Sequence, residues 1–206
     1  MTTTSATSRG LYFFRRFLRN PREVGALLPS TRHLGEAMVR GLTLQSGDVV
    51  VEYGPGTGAL TQAIAAWTNR VPGVRYLGIE RERGFCEILR QRFPQFEFAN
   101  AQVEDVQQLL AERGMLAPRA ILSGLPLILL PTMREIVSTA EAVLQPGCEF
   151  RTFSYLQSYP TPAAGRLRTL MRATFEQFSM SKLVLKNFPP AFVLRGTKAA
   201  LVTASD

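Results

Sequence analysis

Short apolar runs alternate with amphipathic stretches along most of the chain. Five runs rich in Val, Ile, Leu and aromatic residues are predicted to be strands, at Asp48–Tyr53, Val74–Glu80, Phe96–Asn100, Arg119–Ser123 and Cys148–Tyr155. Helical patterns fill the intervals, near residues 59–69, 83–92, 105–113 and 131–144. Because loops of only a few residues join these strands and helices, the strands are expected to lie parallel in one sheet.

The pattern changes after the fifth predicted strand. A short helical stretch around Ala163–Ala173 is followed by two β-rich runs, Gln177–Lys186 and Ala191–Val202, with only Asn187–Pro190 between them. Strands joined by so short a turn pair antiparallel. The sequence therefore predicts an α/β, Rossmann-like fold with five parallel strands plus a C-terminal antiparallel hairpin.

The segment Arg9–Asn20 has the pattern of an amphipathic helix, with apolar and basic side chains on two separate faces. The apolar face holds Leu11, Phe13, Phe14, Phe17 and Leu18, and the basic face holds Arg9, Arg15, Arg16 and Arg19. Such a helix suits the interface of an anionic membrane. A helix packed on the domain with a solvated basic face would have the same pattern.

Composition limits the class of protein. With 206 residues, 46% of them hydrophobic and 19% charged, the chain is long enough for one α/β domain and too short for two. The longest apolar stretch, Leu125–Pro131, is far shorter than a bilayer span. The polar start, Met1–Ser8, lacks the features of a secretory signal, so a cytoplasmic protein is expected. Cys86 and Cys148 have no metal-ligand neighbours at useful spacing; free thiols and no metal site are predicted.

The formal net charge of +8 is concentrated at the two ends of the chain. Residues 1–40 carry seven Arg against two Glu, and residues 166–206 carry seven basic against two acidic side chains. Residues 41–165 carry ten basic and twelve acidic side chains. Basic ends suit a polyanionic partner, and charge alone does not distinguish a nucleic-acid backbone from an anionic lipid surface.

The first predicted strand runs directly into a glycine-rich turn, Gly54-Pro55-Gly56-Thr57-Gly58, and then into a helix. The glycines allow a sharp turn and a close approach to a ligand, and the start of the helix presents free N–H groups. The spacing also satisfies the dinucleotide fingerprint, with Glu80 at a suitable distance to bind a ribose. Glu52 favours another ligand, because its carboxylate would repel a pyrophosphate but attract the cationic amino-acid end of S-adenosylmethionine.

Four ordered motifs resemble those of the small bacterial phospholipid N-methyltransferases, which are soluble class I enzymes that methylate phosphatidylethanolamine. They are Asn20–Ser30 (NPREVGALLPS), Glu52–Gly58 (EYGPGTG), Ser123–Leu127 (SGLPL) and Asn187–Val193 (NFPPAFV), within a resemblance that covers roughly residues 10–203. It implies a class I methyltransferase fold and repeated N-methylation toward phosphatidylcholine, by an enzyme peripheral on the inner face of the cytoplasmic membrane. Residues 1–42 would form membrane-docking and lid helices, and residues 43–206 the methyltransferase domain.

The glycine turn and the resemblance together assign a site for S-adenosylmethionine. Its expected residues come from the lid, the glycine turn and the ends of the predicted strands: Pro29, Ser30, Glu52, Gly54, Gly56, Thr57, Gly58, Glu80, Arg81, Gln102, Val103 and Ser123. Ser30 is predicted to cap the next helix, and the lid connection to fold over the donor. Glu80 is expected to accept from both ribose hydroxyls. Gln102 stands where family members tend to carry an aspartate that contacts adenine, and its carbonyl oxygen can accept from an adenine N–H.

The acceptor is expected at the turn after the fourth predicted strand, where Ser123, Gly124 and Leu125 leave the sheet. Proline fixes this turn, so that backbone carbonyls can face the cleft and orient a substrate amine. Base methylases typically carry an aromatic residue after this proline, whereas Leu127 offers an apolar wall. This favours a lipid headgroup.

Three tyrosines, Tyr53, Tyr155 and Tyr159, are candidates for lining the headgroup site, where aromatic faces attract a methylated ammonium. Core packing is the alternative for each. Burial of the amine beside the sulfonium would lower its pKa from roughly 10, so position can replace a strong general base. His33, the single histidine, is expected at the surface.

Two other functions stay open. RNA adenine N6-methylation is one, because rRNA adenine dimethyltransferases share the glycine turn and the Leu-Pro step. Against it stand the missing aromatic after Pro126 and the absence of a further helical domain after Val202. A noncatalytic protein that binds S-adenosylmethionine and anionic membranes is supported by Gln102 alone. The expected partners are therefore an anionic membrane surface and a phospholipid rather than nucleic acid.

Overall fold

The structure is a computed structural model that describes residues 29–200. The predicted amphipathic helix at Arg9–Asn20 lies outside these residues. The helices are α1 (Pro29–Val39), α2 (Ala59–Thr68), α3 (Arg83–Arg92), α4 (Val106–Glu112), α5 (Met133–Val143) and α6 (Pro162–Thr174). The strands are β1 (Val49–Tyr53), β2 (Arg75–Glu80), β3 (Glu97–Asn100), β4 (Ala120–Ser123), β5 (Glu149–Tyr155), β6 (Gln177–Met180) and β7 (Ala191–Thr197).

All seven strands form one sheet in the order β3-β2-β1-β4-β5-β7-β6. The first five in this order are parallel, and β7 runs antiparallel to both β5 and β6. The predicted fold of five parallel strands plus an antiparallel hairpin is confirmed. Since β1 to β5 all end at the same side of the sheet, the loops that follow them meet there. We call this side the carboxyl edge.

Helices cover both faces of the sheet, which explains the unbroken apolar run of β1. Val49, Val51 and Tyr53 belong to a core shared with α4, α5 and α6. Val50 belongs to a second core, formed with α1, α2 and α3. A strand buried on both faces needs apolar residues at successive positions rather than at alternate ones. The single charged residue of β1, Glu52, is therefore an exception that needs a local explanation.

Helix α1 is anchored to the rest of the fold. Leu34 and Met38 are buried in the second core. Arg151 of β5, which is 1% exposed, donates from Nη1 to the carbonyls of Met38 and Arg40 at 2.9 and 2.8 Å. A cation at the C-terminal end of a helix satisfies free carbonyls and complements the helix dipole.

The capping of α1 by Ser30 stays a prediction. Helix α1 begins at Pro29. Proline suits that position, because its missing N–H would have no partner there and its φ is already helical.

The predicted extent of one strand is wrong: the strand predicted at Gln177–Lys186 ends at Met180. The Ser181 hydroxyl accepts from the amide of Val193 at 2.9 Å, in place of a main-chain carbonyl. A serine side chain that competes with the ladder in this way ends regular pairing. Only an isolated bridge between Val184 and Ala191 continues it.

Cys86 and Cys148 are buried free thiols, as predicted. Among residues 29–200, no helix has the length and hydrophobicity needed to cross a bilayer.

Candidate active site

The turn after β1 is held by left-handed backbone at three glycines. The φ angles of Gly54, Gly56 and Gly58 are 67°, 55° and 85°. Such angles strain any residue with a Cβ. A Cβ on Gly54 would also overlap the Leu125 side chain. The backbone conformation therefore favours glycine at all three positions, and space requires it at Gly54 as well. The turn leads the chain directly into the start of α2.

Glu80, at the end of β2, holds the glycine turn from the neighbouring strand. Its Oε2 accepts from the amide of Gly56 at 2.9 Å, and its Oε1 accepts from the amide of Glu82 at 2.9 Å. The side chain is 8% exposed. Each carboxylate oxygen has further lone pairs, so Glu80 can accept additional hydrogen bonds from a diol without releasing these amides.

Glu52 is fully buried beneath the same turn. Its Oε2 accepts from the hydroxyls of Tyr76 and Thr61 at 2.5 and 2.8 Å. Its Oε1 has no hydrogen-bond partner among the described residues. Burial raises the pKa of Glu52 to about 7, although the hydrogen bonds from Tyr76 and Thr61 act in the opposite direction. Glu52 thus provides a desolvated carboxyl group, one oxygen of which is unpaired within residues 29–200.

The loops after β2 and β3 lie beside Glu80. Asn100 donates from Nδ2 to the carbonyls of Glu80 and Arg81, at 3.0 and 2.7 Å, and so fixes the chain after β2. Gln102 is exposed and precedes the 3₁₀ turn that begins with the buried Val103. Gln102 and Val103 therefore lie at the carboxyl edge, as the glycine turn does.

The turn after β4 packs directly on the glycine turn. The Gly124 amide donates to the carbonyl of Tyr53 at 2.8 Å, and a Cβ on Gly124 would lie 2.9 Å from the carbonyl oxygen of Gly54. Ser123 is fully buried, and its hydroxyl accepts from the Leu125 amide at 3.3 Å. The predicted donor and acceptor loops are therefore in contact.

The interpretation of Leu127 as an apolar wall of the cleft is wrong. Leu127 is 2% exposed and lies in the first core, because the 3₁₀ turn Leu127–Leu129 points it inward. Leu125 takes the place against the glycine turn instead. The carbonyls of Leu125 and Pro126 accept from amides two and three residues ahead, at 2.9 and 2.8 Å. Each retains a second lone pair with which it can accept from an acceptor amine.

The three predicted tyrosines have different surroundings. Tyr53 is fully buried, with its ring 6.4 Å from that of Phe150, and its hydroxyl has no partner among the described residues. Burial raises the pKa values of Tyr53 and Tyr155. Tyr155 is half-buried at the end of β5. Tyr159 is 39% exposed, and the guanidinium of Arg168 lies 4.2 Å from its ring centroid.

Some supporting residues were not predicted. Thr61 and Tyr76, which hold Glu52, are nine and 24 residues away from it in sequence. A tyrosine in a buried strand signals a hidden partner, because its hydroxyl needs a hydrogen bond there. Arg92 donates to the carbonyl of Thr57 at 2.9 Å and so braces the glycine turn from α3. Nothing in the local pattern around Arg92 indicates this contact.

These residues fit S-adenosylmethionine. The glycine turn offers a close backbone approach, Glu80 offers acceptors for ribose hydroxyls, and the free Oε1 of Glu52 offers a negative atom for a cationic group. Among residues 29–200, no cluster of three or more His, Cys, Asp or Glu side chains is arranged to hold a metal ion. When bound, this cofactor supplies an electrophilic methyl group.

Comparison with known proteins finds similarity to methyltransferases. No protein-family model matches the chain. The ornithine lipid N-methyltransferase of Singulisphaera acidiphila is 30% identical over 194 residues, which cover 90% of this chain and 95% of that protein. The ribosomal RNA small subunit methyltransferase A of Prosthecochloris aestuarii is 28% identical over 106 residues, 51% of this chain and 38% of that protein.

Solved structures share the fold at low identity. A complex between the Haloferax volcanii Trm112 methyltransferase activator and a methyltransferase matches with a TM-score of 0.65 and 12% identity, over 90% of this chain and 97% of that chain. Magnesium protoporphyrin IX methyltransferase from Synechocystis, with bound S-adenosylmethionine, matches with a TM-score of 0.59 and 13% identity, over 89% and 84%. The predicted class I methyltransferase fold and its cofactor are therefore confirmed, and the chain belongs to the bacterial lipid N-methyltransferase family of S-adenosylmethionine-dependent enzymes.

Proposed function

We propose that this methyltransferase methylates the primary amine of a membrane aminolipid, with phosphatidylethanolamine as the first acceptor and phosphatidylcholine as the end product. The observation that carries the proposal is the apolar acceptor turn. Leu125 lies against Gly54, and the position after Pro126 is occupied by a buried leucine. A base-methylating site would need an aromatic surface there on which to stack the base.

The main role of the protein in this methyl transfer would be to position the acceptor amine. An ethanolamine nitrogen is protonated near neutral pH and must lose a proton before its lone pair can attack a methyl group. Desolvation in the cleft and the positive charge of the donor both lower the pKa of the amine. The carbonyls of Leu125 and Pro126 would then accept from its N–H groups and direct the lone pair, which is catalysis by orientation.

A second acceptor, ornithine lipid, is supported by a specific observation. The similarity to an ornithine lipid N-methyltransferase extends over 90% of this chain and 95% of that protein. Both lipids present a primary amine on a two-chain anchor, so the same turn would serve either. RNA is less favoured, because the similarity to the ribosomal RNA methyltransferase extends over only 38% of its length.

The proposal includes attachment to the inner face of the cytoplasmic membrane. The basic ends of the chain support it, since each lysine or arginine near an anionic surface contributes about 1 kcal/mol of attraction.

The test is direct. The protein is incubated with labelled S-adenosylmethionine and one acceptor at a time: phosphatidylethanolamine in detergent micelles, ornithine lipid in the same micelles, or RNA. Glu80→Ala serves as the variant impaired in donor binding. Label in phosphatidylethanolamine that is lost in Glu80→Ala supports the proposal. Label in ornithine lipid alone would replace the first acceptor by the second, and label in RNA alone would overturn a lipid function.

A further inference from the structure

Exposed apolar side chains are concentrated at one place on the described surface. Among residues 29–200, six large hydrophobic side chains are exposed. Four of them belong to two neighbouring connections, β5–α6 and β6–β7: Leu156 (42%), Tyr159 (39%), Leu185 (72%) and Phe188 (83%). The other two, Ile88 and Leu116, stand singly on α3 and before β4. Single exposed leucines are normal, whereas a cluster marks an interaction surface.

The sheet register explains why these two connections meet. β7 pairs antiparallel with β5, and Ala191 lies opposite Tyr155. The start of β7 therefore sits at the carboxyl edge, next to the end of β5. The Leu156 amide donates to the carbonyl of Pro190 at 2.8 Å. The apolar cluster consequently borders the same edge of the sheet as the acceptor turn.

Aromatic packing adds a second tie between the connections. The rings of Tyr159 and Phe192 are 5.4 Å apart, and the guanidinium of Arg168 covers the Tyr159 ring. Tyr159 is thus fixed between β7 and a basic side chain. A tyrosine that is packed in this way but still 39% exposed is an amphipathic side chain of the kind that is typical of a membrane–water boundary.

The charge around the cluster has one dominant sign. Residues 156–195 carry six Lys or Arg and a single Glu. Lys182 and Lys186 are exposed on the same connection as Leu185. A groove of about 500 Å³ lies between the β6–β7 connection and α1. Arg40 and Arg195 also line this groove. The one acid of this groove, Glu36, already pairs with Arg32 at 2.9 Å.

We propose that the two connections form a membrane-docking tip, in which Leu185 and Phe188 enter the interface of an anionic bilayer while Lys182 and Lys186 contact headgroup phosphates. Apolar side chains that project beyond a basic ring complement a bilayer with negative headgroups. The inference rests on the proposed lipid acceptor, because the role of the tip would be to bring the acceptor turn to the membrane. It is separate from the amphipathic helix predicted at residues 9–20.

The first experiment places a tryptophan at the tip. Leu185→Trp is compared with its matched control, Leu116→Trp, because Leu116 is 68% exposed but follows α4 at the opposite edge of the sheet. Trp67, the single native tryptophan, gives the same background in both. Vesicles contain phosphatidylglycerol and phosphatidylcholine, with brominated acyl chains in a second set. We expect a blue shift and bromine quenching for Leu185→Trp and neither for Leu116→Trp. Equal responses of the two variants would refute the docking tip.

The second experiment measures binding by cosedimentation. Leu185→Ser combined with Phe188→Ser should weaken vesicle binding roughly tenfold or more, because it removes apolar area that docking buries. Replacing Lys182 and Lys186 by Gln should weaken binding to anionic vesicles roughly fivefold per charge, with a smaller salt dependence. Leu116→Ser should bind like the wild type. Loss of self-association rather than vesicle binding in the double Ser variant would make this surface a contact between copies of the chain and overturn the proposal.

Activity separates a failure of docking from a failure of the lipid function. In detergent micelles, where no bilayer must be reached, the double Ser variant should methylate lipid at the wild-type rate. In vesicles its rate should fall with its binding. Equal vesicle rates for variant and wild type would refute docking and leave the lipid function standing. Vesicle binding by the tip without methylation in micelles would refute the lipid function and leave docking standing.

Discussion

Glu52→Gln tests the electrostatics of the donor site through the stability of the protein. The carboxylate is fully buried, and burial raises its pKa from 4.5 to about 7. Between these two values the folded protein holds a proton that the unfolded chain has released. The free energy of unfolding therefore falls as the pH rises through this window, and the whole loss is present above about pH 7.

The magnitude follows from the shift of the pKa, which corresponds to about 3 kcal/mol above pH 7. Glutamine can still accept from Tyr76 and Thr61, and its amide nitrogen takes the place of the oxygen that has no partner among the described residues. It therefore mimics the neutral acid. For a chain of this length, 1 kcal/mol moves the Tm by roughly 2–4 °C, so Glu52→Gln should raise the Tm by roughly 6–12 °C at about pH 8.5.

Thermal melts without ligand, followed by circular dichroism between about pH 5 and pH 8.5, measure this effect. At about pH 5 the two proteins should melt within a few degrees of each other, because Glu52 is then mostly neutral in the folded state. Glu52→Asp is a useful comparison, since it retains a titrating group at the same position. Parallel pH profiles of wild type and Glu52→Gln over the whole range would refute a buried carboxylate with a raised pKa.

Three further outcomes follow from the geometry. Glu80→Ala should weaken S-adenosylmethionine binding by roughly 1.5–3 kcal/mol in calorimetry, as expected for charged hydrogen bonds, and unchanged affinity would remove Glu80 from the site. Arg151→Met should lower the free energy of unfolding, measured by urea denaturation, by roughly 3 kcal/mol, because it leaves Glu149 and two helix-end carbonyls without their cation. A loss below about 1 kcal/mol would contradict this account. Deletion of residues 1–19 should weaken cosedimentation with anionic vesicles, whereas calorimetry should show largely intact donor binding. Full vesicle binding and lipid methylation by the truncated protein would show that this segment has no docking role.

The sequence pattern predicted the strands of the parallel sheet to within one or two residues, because a strand covered on both faces must be continuously apolar. It also located the glycine turn and the two acids, Glu52 and Glu80, that the structure places beside it. It could not supply the hydroxyls around Glu52, since they come from another strand and a helix. The length of β6 was equally hidden, because one hydrogen bond from Val193 to Ser181 ends the ladder.

The alternation of side chains along β1 separates Glu52 from Tyr53. Glu52 and Tyr53 are neighbours in a strand, so their side chains point to opposite faces of the sheet. Both were assigned to the site, one for the donor and one for the headgroup. The structure places Glu52 under the glycine turn and Tyr53 in the first core beside Phe150.

The two acids beside the glycine turn differ in how well the protein without ligand satisfies their charge. Glu80 accepts from two backbone amides, so its charge is satisfied before any ligand arrives. Glu52 has one oxygen with no partner among the described residues, and burial raises its pKa to about 7, so the folded protein stabilises its charged form much less than water does. A cationic group bound beside Glu52 would favour that charged form and offset its desolvation. A glutamine at this position would stabilise the free protein and give up that attraction, which explains why an enzyme that binds a cationic donor would retain an acid in an otherwise apolar strand.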